Sequence, residues 1–425
     1  MKKVISAVLS VVMSVGLLAG CGGKADSGVS ISFLNSKGEI QESLEKMASE
    51  YSKKTGVNID IVACGSGESP YTKITSAYNS GNPPTMAMLD TTDVIALAKD
   101  KAVDLSNEKW VAELGDNVRK IDGTVYSFPF CVEGRGIIYN GKAIEDTLGR
   151  KFDPSSINSY DSLKALLEEL RSKGMENPVV ISKEDWSLGA HQLQYVYETQ
   201  DGEDAGAEKM IEDLKNGTVK VEDNDRFKEF VKTLDLLLEY NINKKDPLGA
   251  IYEQDPIFLA DGEAALWVNG TWAWPNLEEA GANADDNYGF IPYVLGNDTT
   301  DFANLGMQAC ATKQVMIDKV KATDEQIQAA KDFLNYIIYD EDGQKALVED
   351  CALIPVASNN SYELLDPLGR DVKKKMNDGK VYRAAAIVPG DHWSVLGAQM
   401  QKYIAKQCTA DELAAAIDSY WTSQK

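Results

Sequence analysis

Histidine is nearly missing from this chain: there are two in 425 residues. Cysteine is scarce as well, with six, and no two fall in a C-x-x-C spacing. A zinc ribbon or a dithiol redox centre therefore lacks its ligands. There is no G-x-S-x-G and no H-E-x-x-H, so the hydrolase chemistries built on those motifs have no residues to run on. No G-x-x-x-x-G-K-[ST] is present either, so ATP hydrolysis must belong to another chain. Positive charge is in short supply: 43 Lys and Arg stand against 66 Asp and Glu, a net charge of −23. So acidic a surface argues against nucleic acid, whose affinity comes from neutralised phosphates. After the N-terminus no apolar run is long enough to cross a bilayer. Internal repeats are absent, and no low-complexity linker follows residue 28. Two or more domains are expected in a chain this long, but they are interleaved rather than strung in series.

The N-terminus has a definite grammar. Lys2 and Lys3 precede the apolar run from Val4 to Leu18, and Leu18-Ala19-Gly20-Cys21 follows. A basic start, a short apolar stretch and small residues at the end make a secretory signal over residues 1–20 rather than a permanent span. Small residues abutting a cysteine resemble a bacterial lipobox, in which Cys21 is acylated and becomes the mature N-terminus. The alternative is ordinary secretion with a chance cysteine. Two or more acyl chains hold a soluble domain stably on a membrane, and residues 21–28 read as the lipidated cysteine and its tether. Five cysteines then remain, so at least one thiol is free. Cys64, Cys131 and Cys310 lie in strand-like runs and read as small buried hydrophobes.

Along the chain, Val29 to Asn35 alternates as a strand. Ile40, Leu44, Met47 and Tyr51 share one helical face, Gly56 ends that helix, and Val57 to Val62 is the next strand. This is a βαβ unit, which implies a parallel sheet. A helix over Tyr71–Tyr78, a strand over Thr85–Leu89 and a helix from Asp93 follow. Val118–Ile121 is predicted to pair with Val125–Phe130. Cys131 to Asn140 reads as a strand carrying two glycines and the charged residues Glu133 and Arg135, which suits a crossover between domains. Helices dominate residues 160–240, and residues 340–425 are expected to be mostly helix.

Three of the seven tryptophans fall in Trp267-Val268-Asn269-Gly270-Thr271-Trp272-Ala273-Trp274-Pro275. The pattern predicts a buried strand, then a Gly-Thr turn opening a helix capped by the Thr271 hydroxyl. Trp267, on the strand, is expected in the core. Trp272, at the mouth of the turn, is expected to cover the apolar face of a ligand, since a large flat ring needs little ordering entropy.

The order of these motifs resembles the extracellular solute-binding proteins of ABC importers, family 1, which include maltodextrin-binding proteins. The matching pieces are the lipobox, the first βαβ, Val132-Glu133-Gly134 leading into Ile138-Tyr139-Asn140, Gly262-Glu263-Ala264-Ala265 running into Asn269–Trp274, Tyr288-Gly289-Phe290, Phe333-Leu334-Asn335-Tyr336, Ile354-Pro355-Val356 and Trp393. The resemblance implies a type II periplasmic-binding-protein-like α/β fold, with two lobes, a multi-segment hinge and a ligand cleft. Residues 29–132 plus 294–338 would form the N-terminal lobe and 137–290 plus 343–425 the C-terminal lobe, with hinge segments at 133–136, 291–293 and 339–342.

The resemblance also implies a ligand-binding set. Ser36 and Lys37 match the polar pair after the first strand; a solvated turn is the bland reading of both. Asp90 and Asp93 stand where the third strand ends, outside the strand carboxyl ends where open sheets bind ligands. Asp93 reads equally well as a charge on a helix N-terminus. Glu133 matches the hinge glutamate and takes either a sugar hydroxyl or Arg135 as its partner. Trp186, Trp272 and Trp393 would form an aromatic wall on the second lobe, whereas His392 reads as structural. No tryptophan stands at the Asp90 strand end, which departs from the maltose-type pattern. The implied function is a lipid-anchored substrate-binding component on the outer face of the membrane, monomeric, without cofactor, metal or catalytic residue. It would capture a carbohydrate by hinge closure and hand it to permease subunits served by a separate ATPase. A glycoside hydrolase, which needs two carboxylates flanking a bond, and a binder of a non-sugar solute are the competing readings.

Overall fold

The computed structural model describes residues 28–65 and 68–424. The expected signal segment and Cys21 lie outside the described residues. Among the described residues, no helix is long and apolar enough to cross a membrane.

The first βαβ forms as its sequence pattern requires. Strand β1 (Ser30–Asn35) leads to helix α1 (Gln41–Thr55), which buries Leu44, Met47, Ala48 and Tyr51 and stops at Gly56 with φ 81°. That left-handed conformation carries no Cβ penalty at glycine. Strand β2 (Asn58–Ala63) runs parallel to β1, in register from Ser30↔Asn58 to Asn35↔Ala63. Helix α2 (Pro70–Asn79) starts with Ser69 accepting from the Thr72 backbone N–H, and strand β3 (Met86–Asp90) joins the other side of β1. Helix α3 (Thr91–Lys101) follows without a linker, so Asp90 is both the strand end and the helix N-cap.

Strand β4 (Phe128–Asn140) is the spine of the molecule. All thirteen of its residues are buried. Its first half pairs antiparallel with β8 (Met307–Ile317), and its second half pairs with β6 (Leu266–Gly270) and β7 (Tyr288–Ile291). Two short strands complete the sheet: β5 (Val179–Val180) beside β6, and β9 (Val381–Tyr382) beside β8. The order is β2-β1-β3-β8-β4-β6-β5. Apolar side chains gather on the faces of the two ends. Phe33, Trp110, Phe130 and Phe333 centre one cluster, with Leu89, Val94 and Met316 on the opposite face. At the other end, the helices of residues 160–240 and 392–423 pack around Phe230, Tyr293 and Trp421, and a separate cluster surrounds Trp267 and Trp274. The result is two α/β lobes sharing strands that run through the waist.

Several local expectations need correction. Val118–Ile121 is not a strand; only an Ile121–Thr124 bridge forms, and the strand proper begins at Phe128. Residues 340–425 are mostly helix as expected, apart from the irregular stretches 351–366 and 383–391. Cys131 is fully buried, but Cys64 lies just beyond β2 and is partly exposed, as is Cys310; all five described cysteines are unpaired thiols. Thr271 does not cap a helix. Residues Thr271–Ala273 form a 3-10 turn without a side-chain cap. The Thr271 hydroxyl instead accepts from the Gly134 backbone N–H at 3.4 Å, tying the tryptophan turn to β4.

Candidate functional site

The waist of the molecule holds a network of buried charge. Lys37 stands just after β1 and is 2 % exposed. Its ammonium lies 2.5 Å from Glu133 Oε1 and 2.6 Å from Glu39 Oε1. The other Glu133 oxygen accepts from the Thr312 hydroxyl on β8. Burial alone would raise the Glu133 carboxyl. The positive charges of Lys37 and Lys313 and the hydrogen bonds from Lys37 and Thr312 outweigh it and hold the group down near about 2. Burial likewise disfavours charged Lys37, and the two glutamates overcome that and raise its pKa. Of the two partners open to Glu133, Arg135 is not one: its guanidinium pairs with Glu198 on the second lobe.

Asp90 and Asp93 meet at the β3–α3 junction. Asp90 is bonded by Lys313 at 2.7 Å. Asp93, in the first turn of α3, is 5 % exposed. Burial, then the neighbouring Asp90 charge, push its carboxyl up to about 8, so it is largely protonated at neutral pH. A protonated carboxyl donates one hydrogen bond, which a carboxylate cannot do. Ser36 is half-buried, and its Oγ has no hydrogen-bond partner.

Aromatic rings occupy the facing wall. Trp272 is half-buried and lies over Gly270, where a Cβ would sit 2.2 Å from its ring. The His191 ring lies 4.4 Å from Trp272 and 5.4 Å from Trp186. Trp186 in turn meets Tyr252 at 5.1 Å, and Tyr252 meets Trp267 at 5.9 Å. Trp267 is core, as its strand position predicts, with its indole N–H donating to Ser182 at 3.0 Å. Trp274 is buried too. Trp393 is half-buried on the first turn of the helix His392–Ile404. Its carbonyl oxygen packs against Gly189, where a Cβ would stand only 2.4 Å away. Among the described residues no ring contact joins Trp393 to Trp186 or Trp272. His392 is structural: it is fully buried and hydrogen-bonds the Tyr197 hydroxyl at 3.2 Å.

The two sets of residues adjoin. Lys37 and Glu39 from the first lobe and Thr271 and Trp272 from the second line one narrow crevice, together with Val132 and Ile354. Two π-helical segments border this region, Ser187–Gln192 and Ala346–Asp350. The second leads into Cys351-Ala352-Leu353 on the crevice wall, with Ala352 at φ 53°. Single π-turns and strained φ values concentrate at functional sites. The sequence set thus falls in two groups, Ser36, Lys37, Asp90, Asp93 and Glu133 on one side and Trp186 and Trp272, bridged by His191, on the other, and Trp393 is not joined to that wall by a ring contact among the described residues. His191 and Tyr252 escaped sequence reasoning because a π-turn and a three-residue 3-10 turn, in which they respectively lie, have no period that an amphipathic pattern displays. Among the described residues no group of three or more His, Cys, Asp or Glu side chains is arranged to hold a metal.

A bacterial extracellular solute-binding protein family model matches residues 46–367. The chain belongs to that family. A multiple sugar-binding protein of Streptococcus mutans is 26 % identical over 236 residues, 55 % of this chain and 54 % of the relative. The chain thus matches only about half the length of that curated relative. Among solved structures, the solute-binding protein RafE in complex with raffinose superposes with a TM-score of 0.76 at 18 % identity, covering 93 % of this chain and 99 % of that one. A Bacillus licheniformis sugar transporter protein in complex with stachyose gives 0.71 at 18 % identity, covering 93 % and 100 %. These likenesses are of fold, and they match the type II two-lobed architecture.

Proposed function

We propose that this chain is the solute-capturing component of an ABC importer and that its solute is a sugar or short oligosaccharide. The supporting observation is that Trp272 and the Lys37–Glu39 pair, from opposite lobes, border one crevice. A pyranose has apolar C–H faces, which indole rings cover, and hydroxyls, which charged groups bond strongly. A ligand touched by both lobes favours the closed form through its differential affinity for it. Micromolar binding needs about 8 kcal/mol, within reach of a few stacked rings and several hydrogen bonds. In this reading residues 1–20 are removed, Cys21 carries the lipid that holds the protein outside the cytoplasm, and the closed form docks on permease subunits. The two relatives solved with raffinose and stachyose make those sugars the first probes.

A thermal-shift screen against mono- and oligosaccharides tests the reading, because a ligand that binds only the folded form raises its stability. The expected result is a concentration-dependent rise, with the sugar recovered intact by mass spectrometry. Recovery of shorter fragments would mark a glycoside hydrolase instead, and a response confined to peptides or polyamines would replace the sugar.

A further inference from the structure

His191 is one of only two histidines, and its ring is packed between two indoles while its Nδ1 finds no hydrogen-bond partner. It is the fifth residue of the π-turn Ser187–Gln192, which directly follows Trp186. Its ring sits between those of Trp186 and Trp272. Its Nδ1 is buried without a hydrogen-bond partner, and so is the Nε1 of the adjoining Trp272. Buried polar atoms in folded proteins are nearly always satisfied, so two orphans on neighbouring rings, one of them lining the crevice, call for an external partner. The backbone is shaped to bring this ring in: Gly189 allows the turn to press against the Trp393 carbonyl and Gly397, an approach a side chain would block.

We propose that His191 is a ligand-contacting, specificity-determining residue whose ring completes a three-ring platform with Trp186 and Trp272 and whose Nδ1 edge takes a hydroxyl of a neutral polyol ligand. This rests on the reading of the crevice as the solute site. The imidazole stays uncharged: burial, then the nearby Arg135 charge, hold its pKa near about 3. A neutral imidazole offers one donor and one acceptor, and Trp272 Nε1 adds a second donor, a pairing that suits a hydroxyl better than an ion. The facing charges are already matched among themselves, Lys37 with Glu39 and Glu133, and Lys313 with Asp90.

The test compares wild type, His191→Phe and His191→Gln by calorimetric titration with raffinose and stachyose. Phenylalanine keeps the platform and removes the polar edge; glutamine keeps a donor and an acceptor. The expected result is about tenfold or greater weakening in the phenylalanine variant, the worth of one hydrogen bond, with partial recovery in the glutamine variant and unchanged melting without sugar. Equal affinity in wild type and His191→Phe overturns the proposal. If neither sugar binds wild type, diethyl pyrocarbonate labelling separates this inference from the sugar reading. Rapid modification of His191 with His392 spared keeps His191 as a site residue for another neutral solute, whereas equal protection of both marks it as core and ends the proposal.

Discussion

Glu133 and Arg135 stand two positions apart on one face of β4 and are bound to opposite lobes. Glu133 is held by Lys37 and Thr312 on the first lobe, while Arg135 is held by Glu198 on the second. Glu198 also accepts from the Ala386 backbone N–H at 3.2 Å. The crossing strand is therefore clamped on each side of Gly134.

Breaking the first clamp should be expensive. Glu133→Gln leaves the Lys37 ammonium buried with Glu39 as its only carboxylate, and removing one member of a buried pair costs about 3–5 kcal/mol. The pH dependence has a definite sign. The folded Glu133 carboxyl is depressed to about 2, below its unfolded value of about 4.3. Its stabilisation is therefore complete above about pH 4.3 and is lost as pH falls towards 2. Urea denaturation of wild type and variant should show a gap at pH 6 that narrows on acidification. A gap that stays constant to pH 2.5 would contradict the assigned ionisation.

Asp93 should behave in the opposite way. Its folded carboxyl is raised to about 8 by burial and by Asp90, against the pull of Lys313. The folded state therefore binds more protons than the unfolded chain between about pH 4 and pH 8, and stability falls across that window. Asp93→Asn removes the penalty. It should stabilise the protein above pH 8, on the order of 1–3 kcal/mol, with a much smaller effect at pH 5. The measurement is the denaturation midpoint at both pH values; equal shifts at both would show that the carboxyl is ionised throughout.

Trp272→Ala should abolish the thermal shift given by any bound sugar while the protein stays folded. The ring is only half-buried, so its loss removes more contact from a ligand than from the core. A sugar-induced shift of unchanged size would take Trp272 out of the site.

Gly270→Ala tests the same ring without altering it. The new methyl would sit 2.2 Å from the indole, and the flexible side chain is what must move. Sugar affinity should fall with Trp272 still present. Overpacking costs about 1–3 kcal/mol where neighbours cannot yield, so melting should drop only modestly. Tryptophan fluorescence and titration calorimetry read the two effects separately; a displaced ring with undiminished affinity is the adverse outcome.

Much of this arrangement was legible beforehand because it rests on short-range pattern. Leu44, Met47 and Tyr51 repeat at helical spacing and are buried on α1. Glu133, Gly134, Arg135 and Gly136 are unusual residues for a buried strand, and along them β4 passes from pairing with β8 to pairing with β6 and β7. The illegible part is long-range. Nothing local announces that Lys37 meets Glu133 across 96 residues, or that Arg135 finds Glu198 rather than its neighbour two positions back. Thr271 looked like a cap because its type and position fit one, but its hydroxyl took a more distant backbone N–H. His191 was passed over because a wide turn lacks the periodicity that makes helices readable.

The pairing of β4 with β8 carries one more consequence. The ladder joins them from Phe128↔Val315 to Arg135↔Gln308, with register shifts between Pro129 and Cys131 and between Cys131 and Glu133. Two hydrogen-bonded strands cannot swivel like a loose tether; they bend together, chiefly where irregular pairing has already relaxed the ladder. A bulged strand bends and twists more than a regular one, so the curvature of this ladder is concentrated between Pro129 and Glu133.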